Sequence, residues 1–433
     1  MNNANQEKKV LLKVEHLEQF FKLGRRALKA VNDISFEIYK GEVFGLVGES
    51  GCGKTTTGRS IIRLYDCTGG SVYFDSKRIC AGIRPYKQAI SDAKLKNRKE
   101  IAEYKEVMKK AIEKGSDSTK EKERYQSLVK ESEERLIKVV QENTALIKSA
   151  KYDHKYCNRE FVQFEMQKVR DHYEPLIAKE KDPAKLEELN LKYKDELELA
   201  KKDRIMNKIQ MIFQDPIASL DPRMTVCDII AEGLIIRGFK NKQQIDEKVY
   251  EILDLVGLVP EHATRYPHEF SGGQRQRIGI ARALILKPEM VIADEPISAL
   301  DVSIQAQIIN LLKELGESMG LTTLFIAHDL AVVKYFSDRI AVMYYGKIVE
   351  LAPSDELFKH PLHPYTKSLL SAIPFPDPYF EKKRKRTVYN PLADHELIDE
   401  EPIMREITPG HFIYCNSKEF EKHKKEIEEP SKA

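Results

Sequence analysis

The sequence lacks a long apolar run. No stretch among its 433 residues approaches the roughly 18 consecutive apolar residues expected of a membrane-spanning helix. The opening segment, MNNANQEKKV, has no long apolar stretch behind it, so we expect no signal peptide. If the protein acts at a membrane, we therefore expect it to do so through partners.

Cysteine is scarce, and neither sign of charge dominates. The six cysteines form no C-x-x-C pair and no His/Cys cluster with metal-ligand spacing. Their separation along the chain predicts reduced, isolated thiols of the kind found in cytosolic proteins.

The net charge is only +3, which gives no global indication of a nucleic-acid partner, and we expect none.

Glycine and proline almost disappear in the middle of the chain. Residues 86–204 contain 29 Lys/Arg and 25 Asp/Glu, with apolar residues at helical spacing between them. Two breaks carry helix-start signals, a capping box at Ser118 and Glu121 and an N-cap at Asp182 before Pro183. This pattern predicts several amphipathic helices arranged as hairpins; partial disorder is the alternative, because the segment is weakly hydrophobic.

Strand and helix signals alternate in the rest of the sequence. Apolar segments predict strands at LLKVEHL, VNDISFEI, EVFGLVG, GSVYFD, MVIADEP, TTLFIAH and RIAVMYYG. The segment KTTTGRSIIRLY predicts the helix that follows the third of these strands. Such alternation predicts an α/β core with a largely parallel sheet, while the polar tail after Pro374 is expected to be less regular.

The segment GESGCGKTT, residues 48–56, fits the pattern G-x-x-x-x-G-K-[ST] between a predicted strand and a predicted helix. Its glycines allow backbone N–H groups to converge on one point, and the helix N-terminus adds positive partial charge. Lys54 can reach terminal phosphates, and Thr55 can offer its hydroxyl to Mg²⁺. A phosphate-binding loop is therefore predicted; a chance glycine turn is the alternative.

Two further segments carry candidate chemistry. At the end of an apolar strand, Asp294 can hold Mg²⁺ and Glu295 can orient or deprotonate a water, although an ordinary strand end is the alternative. Ser271, Gly272 and Gly273 precede a long helical pattern and predict a second anion site, with an ordinary N-cap as the alternative. Two phosphate sites on one chain indicate that each nucleotide is held by parts of two subunits.

The order of these motifs resembles the nucleotide-binding subunit of an ABC transporter. Gln214 in IFQDP is similar to the Q-loop of that family, SALD ending at Asp301 to its D-loop, and His328 in FIAHDL to its switch histidine. The resemblance covers residues 10–84 and 205–416. It implies an ABC-type P-loop NTPase core of the α/β class, with an α-helical subdomain and with ATP and Mg²⁺ as cofactors.

The resemblance also implies roles for single residues. The residues of the loop that would bind ATP are Gly48, Ser50, Gly51, Cys52, Gly53, Lys54, Thr55 and Thr56. Mg²⁺ and its waters would be held by Thr55, Gln214 and Asp294. The catalytic groups would be Glu295 as general base, His328 at the γ-phosphate, Lys54 and Gln214. Phe21 would stack on adenine. A partner subunit's ATP would be covered by Ser271, Gly272, Gly273, Gln274 and Asp301.

A finer resemblance concerns the substrate. The segments GKIVELAPSDELFKHPLHPYTKSLLSAIPFPDP and EEPIMREITPGHFIYC are similar to the C-terminal part of oligopeptide and dipeptide importer ATPases, and SIQAQIINLL with SAIPFPDP looks more like the F-type subunit. This implies a heterodimer with a D-type ATPase, two membrane permease subunits, an external peptide-binding protein and a peripheral position at the cytoplasmic face. Many relatives hold an iron–sulfur cluster on several tail cysteines; only Cys415 is present here, so no cluster is predicted.

The chain is predicted to divide into four segments. Residues 1–84 and 205–352 together form the core, with a helical subdomain at about 215–288. Residues 85–204 form an insertion, and residues 353–433 form a C-terminal extension. The insertion is either a solvated helical outgrowth or a docking arm, and its interleaved charges favour the outgrowth. Alternatives for the whole chain are a chromosome-maintenance ATPase, another soluble ABC protein and a catalytically silent regulatory cassette.

Overall fold

Two β-sheets form the centre of the protein. The structure, a computed structural model, describes residues 9–24, 26–373, 386–395 and 400–428. The first sheet is antiparallel, with the order β2-β1-β4-β5. Its strands are β1 (Val10–Leu23), β2 (Arg26–Tyr39), β4 (Gly69–Phe74) and β5 (Lys77–Ala81). The sequence patterns did not predict that these strands would form a sheet of their own.

The second sheet has the order β11-β12-β10-β9-β3-β8-β7-β6. Its strands are β3 (Val43–Val47), β6 (Ile209–Ile212), β7 (Met290–Asp294), β8 (Thr322–Ala327), β9 (Arg339–Tyr344), β10 (Lys347–Pro353), β11 (Ile403–Thr408) and β12 (His411–Cys415). The five strands from β9 to β6 run parallel, whereas β10, β12 and β11 extend the sheet in antiparallel fashion. The prediction of a largely parallel sheet is therefore confirmed for the core.

The parallel strands are buried on both faces. In β7, Ile292 faces the apolar layer shared with the first sheet, and Val291 faces the helices on the opposite side. In β8, Leu324 and Phe325 alternate in the same way. Parallel strands covered on both faces require largely apolar runs, which explains why MVIAD and TTLFIA contain a single charged residue, Asp294 at the end of β7.

Helices surround the second sheet and form the insertion. They are α1 (Lys54–Ile61), α2 (Arg84–Glu113), α3 (Ser118–Lys179), α4 (Pro183–Lys202), α5 (Pro216–Ser219), α6 (Val226–Arg237), α7 (Lys242–Leu255), α8 (Gly272–Leu284), α9 (Val302–Met319), α10 (Leu330–Phe336), α11 (Ser354–Lys359), α12 (Pro364–Ser371) and α13 (Ser417–Glu428). Helices α6, α7 and α8 pack together around one apolar cluster, which continues under the sheet.

Helices α2, α3 and α4 form the insertion. Helix α3 has 62 residues, a length of about 93 Å. Its first part pairs with α2 through partly buried polar contacts, in which Asn97 donates to Ser132 and Ser132 donates to Glu100. Helices are therefore present, as predicted. The predicted capping box was wrong, because Asp117, one residue earlier than Ser118, is the N-cap of α3.

The middle of α3 is anchored on the first sheet. Phe161 is buried and belongs to the apolar cluster to which both sheets contribute. Arg78 of β5 donates to Asp153 from Nε at 2.7 Å. Arg63, which follows α1, donates to the His154 carbonyl at 3.2 Å. The insertion is thus joined to the cassette by packing as well as by chain continuity.

Two further expectations need correction. The prediction of isolated thiols is wrong for Cys67 and Cys80, whose sulfur atoms are joined in a disulfide. The tail after Pro374 was expected to be less regular, yet β11, β12 and α13 lie in it; residues 374–385, 396–399 and 429–433 lie outside the described part. Among the described residues, no helix is both long enough and apolar enough to cross a membrane.

Candidate functional site

The loop of residues 48–56, here named the phosphate loop, follows β3 and leads into α1. Its shape depends on two glycines. At Gly48, with φ of 153°, a Cβ atom would lie 2.1 Å from the Met343 carbonyl oxygen. At Gly53, with φ of 108°, it would lie 2.2 Å from the Ala30 carbonyl oxygen. Only glycine fits these positions, because both the backbone conformation and the neighbouring backbone exclude a side chain.

Lys54 folds back over the phosphate loop. Its side chain is 3% exposed, and Nζ donates to the carbonyl oxygens of Gly48 at 2.8 Å and Glu49 at 2.9 Å. The same ammonium lies 4.0 Å from Oε1 of Glu295. The first N–H groups of α1 have no acceptor within the helix. Ammonium and amide groups together give this loop the donors that a phosphate group needs.

Thr55 and Asp294 meet beneath the loop. The Thr55 hydroxyl donates to Oδ1 of Asp294 at 2.8 Å. Asp294 is fully buried, and its Oδ2 has no hydrogen-bond partner among the described residues. Burial raises the pKa of Asp294, and the hydrogen bond from Thr55 opposes this shift. A buried carboxylate oxygen without a partner, beside a hydroxyl, fits Mg²⁺ or one of its waters, since Mg²⁺ prefers oxygen ligands.

Glu295 follows β7 in a strained backbone conformation, and its side chain contacts Gln214 and His328, two other predicted site residues. Its φ of 44° lies in the left-handed region, and its N–H donates to the Ile326 carbonyl at 2.9 Å. Its Oε2 accepts from Nε2 of Gln214 at 3.0 Å and lies 3.4 Å from Nδ1 of His328. Such strain is typical of functional positions. Here it orients a largely buried carboxylate among donors and beside Lys54.

The cleft above the phosphate loop has a volume of about 330 Å³. Its wall includes Phe21, Gln214, Glu295 and six residues of the phosphate loop, namely Ser50, Gly51, Gly53, Lys54, Thr55 and Thr56. The predicted ATP-binding residues Gly48 and Cys52 shape the loop but do not line the cleft. Phe21 packs edge-on against Tyr65 with a centroid distance of 5.3 Å. Its neighbour Phe20 instead lies under the Arg84 guanidinium, 4.4 Å away. Of the two phenylalanines, Phe21 is therefore the one placed to contact a ligand in the cleft.

Ser271, Gly272, Gly273 and Gln274 form the start of α8. Ser271 accepts from the Gln274 N–H, and the Gln274 side chain accepts from the Ser271 N–H at 3.1 Å, which makes a capping box. A Cβ atom on Gly273 would lie 2.6 Å from Ile304 of α9. Within the part of the chain that is described, none of these four residues lines the cleft. Within this chain, Ser271 therefore acts as the N-cap of α8.

Asp301 also lies at a helix start rather than in the cleft. It is the N-cap of α9, where its carbonyl oxygen accepts from the N–H groups of Ile304 and Gln305, each at 2.9 Å. Its side chain is exposed. Asp301 and the start of α8 are therefore adjacent helix termini, with Asp301 and Ser271 exposed at the surface.

Two supports of the phosphate loop were missed by sequence reasoning. The Tyr365 hydroxyl accepts from the Glu49 N–H at 3.1 Å. The Gly346 N–H donates to the Cys52 carbonyl at 2.9 Å. Both supports come from about 300 residues further along the chain. Only the HPYT motif, residues 363–366, could have drawn attention to the first of them.

Two family models match the sequence. A model described as "ABC transporter" matches residues 31–170 and 176–298. A model described as "Oligopeptide/dipeptide transporter, C-terminal region" matches residues 349–396.

Curated relatives match along nearly the whole chain. The chain is 46% identical over 412 residues to the oligopeptide transport ATP-binding protein OppF of Bacillus subtilis, covering 95% of this chain and 97% of the relative. It is 42% identical over 422 residues to OppF of Streptococcus mutans, covering 97% and 99%. It is 41% identical over 423 residues to the dipeptide transport ATP-binding protein DppF of Lactococcus lactis, covering 97% and 98%.

Proposed function

The chain belongs to the ABC transporter family, and from this premise we propose that it binds and hydrolyses ATP to power the import of oligopeptides or dipeptides. The single observation that supports the hydrolytic role most strongly is the environment of Glu295. Its carboxylate accepts from Gln214, faces His328 and lies 4.0 Å from the Lys54 ammonium. The identity to oligopeptide and dipeptide transport proteins supports the substrate class.

The phosphate loop would hold the phosphates of ATP. The ammonium of Lys54 and the first N–H groups of α1 offer donors at one point, and Phe21 offers a ring surface at the other side of the cleft. Thr55, Asp294 and Gln214 are the residues that would hold Mg²⁺ and its waters. The bound metal would neutralise charge on the transferring phosphoryl group.

Glu295 would act as general base on the attacking water. Gln214 and His328 hold its carboxylate at the edge of the cleft, and the buried position excludes bulk water from most of it. His328 is half exposed, with 54% of its side chain accessible, so it can turn towards a γ-phosphate. Fixed donors around a developing charge supply most of the rate enhancement in phosphoryl transfer.

A second ATPase subunit would complete each nucleotide site. The helix start at Ser271, Gly272, Gly273 and Gln274, together with Asp301, is exposed or half exposed and lies outside this chain's own cleft, which supports contact with the ATP of a partner. We propose a D-type subunit as the partner in a heterodimer. Two permease subunits would place the pair peripherally at the cytoplasmic face of the membrane, and an external binding protein would deliver the peptide.

The experiment that tests this function replaces Glu295 by glutamine in the purified transporter complex. Glu295→Gln keeps the size of the side chain and one oxygen that can accept from Gln214, but removes the base. ATP binding should stay within about 2-fold of the wild type, while hydrolysis should fall by about 10²- to 10⁴-fold, the usual contribution of general base catalysis. Uptake of a radiolabelled tripeptide by cells that carry the variant should fall with hydrolysis.

Glu289→Gln is the matched control, because Glu289 precedes the same strand and is partly exposed, with 39% of its side chain accessible. It should hydrolyse ATP and import peptide like the wild type. Normal hydrolysis by the Glu295 variant would show that the base has been misassigned. Normal hydrolysis by the wild type without any peptide uptake would contradict the proposed substrate.

A further inference from the structure

The HPYT motif in the C-terminal extension is organised by one buried carboxylate. Glu350 of β10 is fully buried; its Oε1 accepts from the Leu362 N–H at 2.8 Å, and its Oε2 accepts from the His363 N–H at 3.0 Å. His411 of β12 contributes a third hydrogen bond, from Nε2 to Oε1 at 2.8 Å. A carboxylate that accepts three hydrogen bonds fixes the backbone at the start of the motif.

The motif then directs its tyrosine inward. Nδ1 of His363 accepts from the Tyr365 N–H at 3.1 Å and caps α12, while Pro364 occupies the first turn of that helix. An accepting Nδ1 requires a neutral ring, and burial lowers the pKa of His363 to about 3, with nearby His395 and His423 adding to this effect. The helix therefore starts with a fixed direction, which sets the direction of the Tyr365 side chain.

Tyr365 is enclosed on every side. Its side chain is among the largest fully buried ones, and its ring lies against Tyr344 at 4.4 Å and Tyr389 at 5.5 Å between centroids. The only hydrogen bond of its hydroxyl described in the structure is the one from the Glu49 N–H, at 3.1 Å. A buried phenol that contacts a loop amide acts on that loop in particular, beyond the general packing of the ring.

Glu49 is held at both ends of its backbone. Tyr365 binds its N–H, and Lys54 binds its carbonyl oxygen. The residue also directly follows Gly48, where no side chain fits. We propose that Tyr365 is a positioning residue, which keeps the phosphate loop in its ATP-binding shape by holding the Glu49 amide. This proposal rests on the proposed function, because it presumes that the loop binds ATP.

The test replaces Tyr365 by phenylalanine in the full chain and measures binding of ATP with Mg²⁺ by titration calorimetry. Tyr365→Phe retains the ring in its packed site and removes only the acceptor, which leaves the Glu49 amide unpaired. The dissociation constant for ATP should rise by about 5- to 10-fold, which corresponds to the lower end of the cost of an unpaired donor, because the Glu49 amide is only partly buried. In the transporter complex, KM for ATP should rise similarly while kcat changes by less than about 2-fold.

Tyr389→Phe is the matched control. Its hydroxyl is bonded to His395 instead of the loop, and its ring lies in the same aromatic cluster. It should bind ATP like the wild type. Unchanged affinity in the Tyr365 variant, or equal weakening in both variants, would overturn the positioning role and leave the proposed function standing. Absence of ATP binding by the wild-type chain would instead contradict the proposed function itself.

Discussion

At the scale of single residues, His363 makes stability depend on pH. The ring is buried and neutral, with a pKa of about 3 in the folded chain, and it faces His395, His423 and Lys367. In the unfolded chain its pKa is about 6.5. Above pH 6.5 neither state binds the proton, so the stabilising contribution is complete. As the pH falls from 6.5 towards 3, the unfolded chain alone takes up the proton, and the free energy of unfolding decreases.

We therefore expect the free energy of unfolding to decrease by up to about 1.4 kcal/mol per pH unit below pH 6.5 through this one residue. His363→Asn should reduce that slope, because asparagine caps a helix without titrating. Denaturant unfolding at pH 7.5, 6 and 5 measures the difference. His268→Asn, at an exposed position, is the control and should keep the wild-type slope. If the His363→Asn variant lost stability as steeply as the wild type, the expectation would be contradicted.

Single residues also show which parts of the candidate site could be predicted from the sequence. Lys54, Thr55, Asp294 and Glu295 stand in short motifs whose spacing carries their chemistry, and the structure brings all four together. Tyr365 stands in the HPYT motif, but the spacing of that motif does not indicate what the tyrosine contacts. Its importance comes from a contact with Glu49, 316 positions away, and a contact of that kind exists only once the chain has folded.

At the scale of elements, the anchor of α3 on the first sheet should contribute more to stability than an exposed apolar position elsewhere in the insertion. Phe161 is 6% exposed and belongs to the apolar cluster to which both sheets contribute, whereas Leu191 of α4 is 62% exposed. Phe161→Ala should lower the free energy of unfolding by about 3–5 kcal/mol, since it opens a cavity in a packed core. Leu191→Ala should change it by less than about 0.5 kcal/mol. Urea unfolding of the two variants provides the comparison.

Equal effects of these two substitutions would show that the insertion is not packed against the cassette in solution. The helices of residues 86–204 could be predicted because apolar residues recur there at helical spacing. That spacing could not predict where the helices dock, because Phe161 looks like any other apolar position of α3. Likewise, Cys67 and Cys80 are 13 positions apart in sequence and meet only through the pairing of β4 with β5.

At the scale of the whole molecule, we expect the start of α8 to affect ATP hydrolysis in the complex with a second ATPase subunit. We expect it to have little effect on ATP binding in this chain's own cleft. Ser271 is exposed and outside that cleft. Ser271→Arg should therefore leave ATP binding by the isolated chain within about 2-fold of the wild type. In the complex with a second ATPase subunit it should lower hydrolysis by at least about 10-fold, because a bulky cation would occupy the shared interface.

Ser127→Arg on α3 is the control, since this serine is also exposed and belongs to the insertion. Its complex should hydrolyse ATP at the wild-type rate. If Ser271→Arg weakened ATP binding by the isolated chain, the helix start would act on its own cleft, and the proposed exchange between two subunits would be wrong. Steady-state hydrolysis and calorimetry on the same preparations separate these outcomes.

Helix α3 meets the first sheet near its middle, and its two ends pair with α2 and α4 of the insertion. Its anchor near Asp153 and Phe161 adjoins Arg63, directly beyond the helix that starts at Lys54. From this anchor the helix extends roughly 55 Å back to its first residue, Ser118. A tilt of about 5° at the anchor would displace that distant end by roughly 5 Å, so a small movement near the phosphate loop would become a large one at the far end of the insertion.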